Sequence, residues 1–244
     1  MYPVDVSHLH KKFSTKIVVN DFSLRVEKGE RIGFIGANGS GKTTTLRMLA
    51  GLVRPENGNG QIIGYDLLHA TQAIRQHIGY MTQHYALYPT LTVRENLAAR
   101  AAIYHLPQRS QRVDALIETS GLSAFSSQRI ANLSGGWMRR AQFAAAILHA
   151  PSLLLLDEPT AGLDYKAKTF LWQAVAQLGQ QGTTMIVSTH DRDEAAQCDR
   201  LIFFEQGNII AQGPTAELLS QVGSAYLTGA MASSTEQPSM KDRT

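Results

Sequence analysis

The chain has 244 residues, of which 43% are hydrophobic and 18% charged. This composition is typical of a globular protein and excludes a disordered or fibrous chain. The formal net charge of +3 is too small to choose between a nucleic acid, a membrane surface and neither as partner. The single cysteine, Cys198, excludes an intrachain disulfide and fits a reducing cytosol.

No segment is long and apolar enough to predict a membrane-spanning helix. The longest aliphatic run extends only from Leu153 to Leu156, whereas a spanning helix needs roughly 18 apolar residues. The N-terminus, from Met1 to Asp5, lacks the basic and apolar regions of a signal peptide. If the protein acts at a membrane, we expect it to bind another chain that spans it.

The pattern along the chain predicts strands that alternate with helices. Residues 31–36 predict a buried strand that enters a glycine-rich turn, and residues 42–52 predict a helix. Residues 153–156 and 184–188 predict further buried strands, and residues 201–211 predict a hairpin. This alternation indicates an α/β fold with sites at the carboxyl ends of the strands.

Residues 92–150 show a different pattern, without a convincing strand. They predict helices over 93–104, 111–120 and 136–148, separated near Pro107 and Gly121. We interpret this stretch as a helical subdomain inserted between two halves of the α/β core. Residues 230–244 are polar and are predicted to be a disordered tail.

The glycine-rich turn matches the pattern Gly-x-x-x-x-Gly-Lys-[Ser/Thr] at every fixed position. Such a loop wraps phosphates with backbone N–H groups, and the following helix adds its positive end. Lys42 can contact the β- and γ-phosphates, and the Thr43 hydroxyl can ligate Mg²⁺. A chance glycine-rich turn is disfavoured because this one lies between a predicted strand and helix. The predicted phosphate-binding residues are Gly36, Ala37, Asn38, Gly39, Ser40, Gly41, Lys42, Thr43 and Thr44.

Two further motifs carry polar groups at the ends of predicted elements. Asp157 and Glu158 follow the strand at 153–156, where one carboxylate can complete a Mg²⁺ shell and the other can polarise water. Carboxylates after a strand are common, so the phosphate loop is what strengthens this assignment. Ser134, followed by two glycines, precedes a helix; it fits either an ordinary N-cap or an anion site.

In order along the chain, the phosphate loop, Leu-Ser-Gly-Gly, Asp-Glu-Pro-Thr-Ala-Gly-Leu-Asp and Ser-Thr-His resemble the nucleotide-binding domain of ABC transporters. The resemblance covers residues 4–229, and Leu-Ser-Gly-Gly separates this family from other P-loop ATPases. It implies a P-loop NTPase core with a mostly parallel sheet. It also implies an antiparallel β subdomain near the N-terminus and the helical subdomain at about 92–150.

The resemblance implies a role for each matching residue. Phe13 would stack on adenine, although an ordinary core residue is the alternative. Gln83 would contact Mg²⁺ and the attacking water and link to the transmembrane partner, and Asp157 would hold Mg²⁺. Glu158 would be the catalytic base, and His190 would be the switch histidine near the γ-phosphate rather than a structural residue.

The other matching residues would act across a dimer interface. Ser134, Gly135 and Gly136 would contact the γ-phosphate bound by the other subunit, and Asp164 lies in the loop that crosses between subunits. The family usually has Gln after Leu-Ser-Gly-Gly, whereas this chain has Trp137. That departure puts the packing of the helix start in question, and with it the membrane partner.

Arg139 and Arg140 follow Trp137. They could suggest nucleic acid, but a solvated helix face is the more ordinary interpretation.

The resemblance implies an ATPase that uses ATP and Mg²⁺ and pairs with a second ATP-binding subunit, identical or different. It implies binding to transmembrane permease subunits at the cytoplasmic side of the inner membrane, with no nucleic acid partner. The alternative is a non-transport ABC ATPase acting on ribosomes or nucleic acid, which usually carries two ATPase domains, long coiled coils or zinc-binding cysteines.

Two segments look like exporters of the drug-resistance or polysaccharide-export (ABC-2) type. They are residues 80–83 and 197–200. The short polar tail also favours export, since many importer ATPases add a regulatory domain there. The predicted loop at residues 83–92 carries Tyr85, Leu87, Tyr88 and Pro89, and an exposed apolar patch of this kind predicts an interface.

Overall fold

A computed structural model describes residues 1–221. The predicted tail at 230–244 and the end of the predicted 4–229 domain lie outside these residues. The strands are β1 Val4–Phe13, β2 Lys16–Val26, β3 Arg31–Ile35, β4 Asn57–Ile62, β5 Tyr65–Asp66, β6 Ile78–Met81, β7 Leu153–Asp157, β8 Thr184–Thr189, β9 Arg200–Glu205 and β10 Asn208–Pro214. The α-helices are α1 Lys42–Leu49, α2 Thr71–His77, α3 Val93–Ile103, α4 Arg109–Thr119, α5 Gly135–Ile147, α6 Tyr165–Gln180, α7 Arg192–Ala195 and α8 Thr215–Gln221.

A six-stranded sheet forms the centre of the fold, in the order β10-β9-β3-β8-β7-β6. The pairings from β9 to β6 are parallel, and β10 joins β9 as an antiparallel hairpin. Strands β7 and β8 are buried along their whole length because side chains cover both faces of the sheet. The predicted strands, the hairpin and the α/β class are confirmed, and the loops after β3, β6, β7 and β8 meet at one edge.

A second sheet is wholly antiparallel, in the order β2-β1-β4-β5. The resemblance implied this sheet, but the residue pattern did not predict its strands. Register shifts between Val6 and Leu9 and again near Lys11 interrupt the alternation of β1, which removes the regular period-two signal. Phe22 of this sheet packs at 5.7 Å between ring centroids on Phe204 of the central sheet, so the two sheets share one core.

Residues 92–150 contain α3, α4, α5 and two 3₁₀ turns, Ser123–Phe125 and Ile130–Asn132, and no strand among these described residues. A separate apolar cluster holds the helices together; it includes Val93, Leu97 and Ile117. Helix α3 begins with a capping box, in which Thr92 accepts from the Glu95 amide and the Glu95 carboxylate accepts from the Thr92 amide. The predicted helices are therefore confirmed.

Cys198 lies between α7 and β9 and is 5% exposed. The backbone of Gly33 in β3 comes so close that an added Cβ there would lie 3.1 Å from the Cys198 Sγ. Burial raises the pKa of the Cys198 thiol to about 12. Within residues 1–221, no helix has the length and apolar character needed to cross a bilayer.

Candidate functional site

The phosphate loop folds tightly against its neighbours because it contains glycine at critical positions. Gly41 has φ 111°, and an added Cβ there would lie 2.6 Å from the Val18 carbonyl oxygen. At Gly36 an added Cβ would lie 2.4 Å from the Phe204 carbonyl oxygen. A side chain at either position would push the loop away from β2 or β9. The glycine pattern thus fixes a loop whose backbone faces the start of α1.

Lys42 opens α1 and is 4% exposed. Its Nζ donates to the carbonyl oxygens of Gly36 at 2.6 Å and Ala37 at 3.0 Å, so the loop folds around its own lysine. Burial lowers the pKa of Lys42, while the charges of Glu158 and Asp157 oppose that shift. A cation held in this way attracts an anion such as a phosphate into the loop.

Asp157 ends β7 and is fully buried. Its Oδ1 accepts from Thr43 Oγ1 at 3.0 Å and from Ser188 Oγ at 2.7 Å. Its Oδ2 is buried without a hydrogen-bond partner among the described residues. Burial raises the pKa of this carboxyl, and the two hydroxyl donors oppose the shift.

The unpaired Asp157 oxygen fits a divalent cation at this position. Mg²⁺ typically takes one or two carboxylates together with hydroxyl, water and phosphate oxygens. No group of three His, Cys, Asp or Glu side chains that could hold a metal occurs in residues 1–221. The Asp157 carboxylate, the Thr43 hydroxyl and the Gln83 amide oxygen have the donor chemistry that would suit Mg²⁺ bound with a phosphate.

Glu158 follows directly with φ 46°, an uncommon backbone conformation for a residue with a side chain. Its amide donates to Ser188 Oγ at 2.9 Å, which holds that conformation. Its Oε2 accepts from Gln83 Nε2 at 3.2 Å and lies 3.9 Å from His190 Nδ1. His190 lowers the pKa of Glu158, although burial opposes this, and Glu158 in turn raises the pKa of His190.

Lys42, Thr43, Gln83 and Glu158 line a cavity of about 250 Å³, whereas Asp157 and His190 lie outside its lining. The lining residues come from β2, from the phosphate loop and the start of α1, and from the loops that follow β6 and β7. They are Val18, Asn38, Gly39, Gly41, Lys42, Thr43, Thr44, Gln83 and Glu158. The cavity is therefore lined by the buried Lys42 ammonium, the hydroxyls of Thr43 and Thr44, and the buried Glu158 carboxylate. Such a cavity can bind a phosphate chain and place a base beside its end.

Phe13 ends β1 with its side chain 51% exposed, so the core-residue alternative is wrong. The Lys11 Nζ lies 5.3 Å from its ring centroid. An exposed ring suits stacking on a planar base, and that function stays a prediction.

The predicted interface residues lie apart from the cavity. Ser134 is the N-cap of α5, yet its side chain makes no capping hydrogen bond. Gly135 and Gly136 begin that helix, and the Gly135 carbonyl accepts from Tyr85 Oη at 3.4 Å. Asp164 caps α6 by accepting from the Ala167 amide at 2.9 Å. None of Ser134, Gly135, Gly136 and Asp164 lines the cavity around Lys42.

The interpretation of Arg139 as part of a solvated face is wrong. Arg139 is 4% exposed, and its Nη1 donates to the Thr82 carbonyl at 3.1 Å and to Gln142 Oε1 at 3.3 Å. The Thr82 carbonyl, in the loop after β6, accepts from this guanidinium and also from Gln142 Nε2 at 3.0 Å. Arg140 instead stacks on Phe170, with its Cζ 3.3 Å from the ring centroid.

Trp137 packs within the helical region, at 4.1 Å from the Phe125 ring. The sequence reasoning missed the structural contributions of Thr82, Gln142 and the Ser188 hydroxyl. In the sequence, the signal for Ser188 and Gln142 was that each is a polar residue within a mostly apolar segment, β8 and α5 respectively.

Comparisons with known proteins agree on one family. The family model for ABC transporters matches residues 19–161. Over 225 residues the chain is 38% identical to a Nod factor export ATP-binding protein I of Burkholderia orbicola, which covers 91% of this chain and 74% of that protein. Over 220 residues it is 35% identical to a probable multidrug ABC transporter ATP-binding protein of Escherichia coli, covering 89% of this chain.

The chain spans 38% of the length of that Escherichia coli relative. Among solved structures, a dimeric ATP-binding cassette in a post-hydrolysis state, bound to ADP and Pi, superposes with a TM-score of 0.82 at 26% identity. That match covers 87% of this chain and 98% of the solved one. The fold implied by the sequence motifs is thereby confirmed.

Proposed function

Because the chain belongs to the ABC transporter family, we propose that it binds and hydrolyses ATP to power a membrane transporter. One observation carries the catalytic part of this proposal. The Glu158 carboxylate contacts Gln83 and lies beside His190 at the wall of the cavity around Lys42. A base, a water-orienting amide and a phosphate-binding cation thus share one small space.

Each of these residues has a distinct task in hydrolysis. Lys42 and the loop amides bind the β- and γ-phosphates, while Thr43, Gln83 and Asp157 would hold Mg²⁺, which neutralises phosphate charge when bound. Glu158 accepts the proton of the attacking water, and its lowered pKa keeps it ionised at neutral pH. His190, opposite Glu158, orients the γ-phosphate and responds to its loss.

A second copy or a related subunit completes each site. The Ser134 hydroxyl, which makes no capping bond in its own chain, and the amides of Gly135 and Gly136 suit an anion held by another subunit. Asp164 would lie at the same interface, and Phe13 would stack on the adenine. The functional unit would be residues 4–229, with residues 92–150 as its helical subdomain.

We assign the transporter to the export direction, in line with the name of the Burkholderia orbicola relative. The chain would bind transmembrane permease subunits at the cytoplasmic side of the inner membrane. The loop at residues 83–92 exposes Tyr85 and Tyr88 and gives such a partner an apolar contact. A function on ribosomes or nucleic acid is the alternative.

Co-purification from cells tests the proposal directly. We expect the tagged full chain, extracted with mild detergent, to bring down a multispanning membrane protein and to hydrolyse ATP when purified. A Tyr85→Ser, Tyr88→Ser double variant should lose that partner but keep ATP binding. Recovery with ribosomes or nucleic acid and no membrane protein would support the alternative instead.

A further inference from the structure

Glu194 in α7 is a charged residue buried outside the phosphate cavity, 4% exposed. Its two carboxylate oxygens accept hydrogen bonds from hydroxyl groups on two different loops. Thr160 Oγ1 donates to Oε1, and Thr189 Oγ1 donates to Oε2 at 2.5 Å. A carboxylate is costly to bury unless it is fully hydrogen-bonded, so this residue holds both loops firmly.

The two loops are those that present the proposed base and the switch histidine. Thr160 lies two residues after Glu158, and Thr189 directly precedes His190. The Thr189 hydroxyl also accepts from the Asp191 amide at 3.0 Å, which shapes the turn that carries His190. The Glu194 carboxylate therefore connects, through Thr160 and Thr189, the two loops that carry Glu158 and His190. In these loops Glu158 Oε2 lies 3.9 Å from His190 Nδ1.

Lys168 supplies the positive charge that this cluster needs. It extends from the second turn of α6, and its Nζ donates to Asp191 Oδ2 at 3.0 Å and lies 3.9 Å from Glu194 Oε1. The lysine thus joins α6, which Asp164 caps, to the turn after His190.

We infer that Glu194 is a positioning residue for hydrolysis, which sets the relative placement of Glu158 and His190, and that Lys168 keeps Glu194 in place. This inference rests on the proposed ATPase function and adds a requirement to it. Neither residue lines the cavity around Lys42. They act because a catalytic pair displaced by about 1 Å can lose much of its rate.

Glu194→Gln tests the inference with little change of shape. An amide nitrogen cannot accept from a threonine hydroxyl, so the hydroxyl of one loop must turn and accept from a neutral amide. Both loops then lose the stronger hydrogen bond to a charged carboxylate. We expect kcat for ATP hydrolysis to fall about tenfold or more, with the KM for ATP within about threefold of the parent value because the phosphate loop is untouched. Asp193→Asn, an exposed carboxylate on the same helix, is the matched control and should leave both values unchanged.

Conservative pairs separate positioning from simple loss of stability. Thr160→Ser and Lys168→Arg should retain most of kcat, whereas Thr160→Val and Lys168→Met should lower it at constant KM. If Glu194→Gln does not fold, these pairs carry the same test. Equal kcat in Thr160→Val and Thr160→Ser, or an equal fall in all four variants that follows their loss of thermal stability, would overturn the inference.

A crystal structure of Glu194→Gln provides a readout that does not depend on turnover. We expect the Glu158–His190 separation to lengthen by about 1 Å relative to the parent. An unchanged separation would overturn the inference even if the parent is an active ATPase. A parent without ATPase activity, combined with the longer separation, would reject the proposed function and leave the positioning of Glu158 and His190 supported.

Discussion

Two helix starts in this chain are predicted to bind anions, and they differ in how many of their polar groups are already hydrogen-bonded within one chain. At α1, Lys42 is buried and already bonded to Gly36 and Ala37, and Thr43 is bonded to Asp157. At α5, Ser134 stands at the N-cap position without a capping bond. The first site is pre-organised by the fold, whereas the second has unused polar groups. We propose that the first binds phosphate alone and that the second acts on an anion brought by another subunit.

The largest effect is expected from a substitution that disrupts the pre-organised site at α1. Lys42→Ala deletes the cation that α1 presents and should abolish ATP hydrolysis and weaken nucleotide binding by about 10²-fold or more. Fluorescent-nucleotide titration and phosphate release measure both effects. Lys28→Ala, an exposed lysine before β3, is the control. Parent-like hydrolysis by Lys42→Ala would show that the phosphate site has been placed wrongly.

Glu158→Gln should separate binding from hydrolysis. The phosphate contacts remain while the proton acceptor is lost, so turnover should fall by about 10²- to 10³-fold with ATP still bound. ATP held at the start of α1 in one copy should then stay bound to the start of α5 in a second copy. We therefore expect dimers to accumulate when ATP and Mg²⁺ are present, and size-exclusion chromatography detects them. Glu118→Gln on α4 is the matched control. A monomer that retains ATP would contradict the completion of the site by a second copy.

The nucleotide content of that trapped dimer tests symmetry. Both sites of a homodimer have the same residues, so each dimer should hold two nucleotides. Denaturing the dimer and counting released ATP gives the number. One nucleotide per dimer would mean that a site assigned here as complete is not.

Ser134→Ala tests the unfinished site alone. In the Glu158→Gln background, ATP binding by the monomer should stay unchanged, while dimerisation with ATP should weaken about tenfold through loss of one hydrogen bond to a charged group. Analytical ultracentrifugation measures the dimer affinity. Ser110→Ala, near the start of α4, should have no effect. Equal dimer affinity with and without Ser134→Ala would show that the Ser134 hydroxyl does not bind the phosphate of the other subunit.

The smallest expected effect concerns the packing behind α5. Trp137→Gln introduces the residue that the family usually has at this position. It removes the ring contact with Phe125 and the contact of the Arg140 guanidinium with the Trp137 ring, at 4.4 Å from its centroid. The free energy of unfolding should fall by about 1 kcal/mol with ATP turnover within twofold of the parent. Chemical denaturation measures this loss, and a large fall in turnover would place Trp137 in the catalytic cycle.

The parts of the site that could be predicted depend on residues close together in the chain. The glycines of the phosphate loop, Lys42 and Thr43 form one short motif, and β7 ends in Asp157 and Glu158. Their physical demands are local, so a pattern in the sequence records them. Strands β3, β7, β8 and β9 of the central sheet were predictable for the same reason, since each contains a short apolar run, whereas β6 was not predicted.

The parts that could not be predicted depend on distant partners. Arg139 is buried and donates to the Thr82 carbonyl, and 57 positions separate the two residues. Glu194 receives hydroxyl groups from Thr160 and Thr189, one of them 34 positions away. An arginine or glutamate on a helix has the same local pattern whether it faces solvent or a buried acceptor. Only the tertiary arrangement distinguishes the two.

The buried Cys198 has a practical consequence for spectroscopy. A thiol with a pKa of about 12 has almost no thiolate at neutral pH, and only the thiolate reacts with maleimides. The native chain therefore needs no cysteine removed before labelling. A single cysteine placed at exposed Tyr165, at the start of α6, would carry a spin label or fluorophore in an otherwise unmodified protein. Distances between two labelled copies could then follow the opening and closing of the pair in real time.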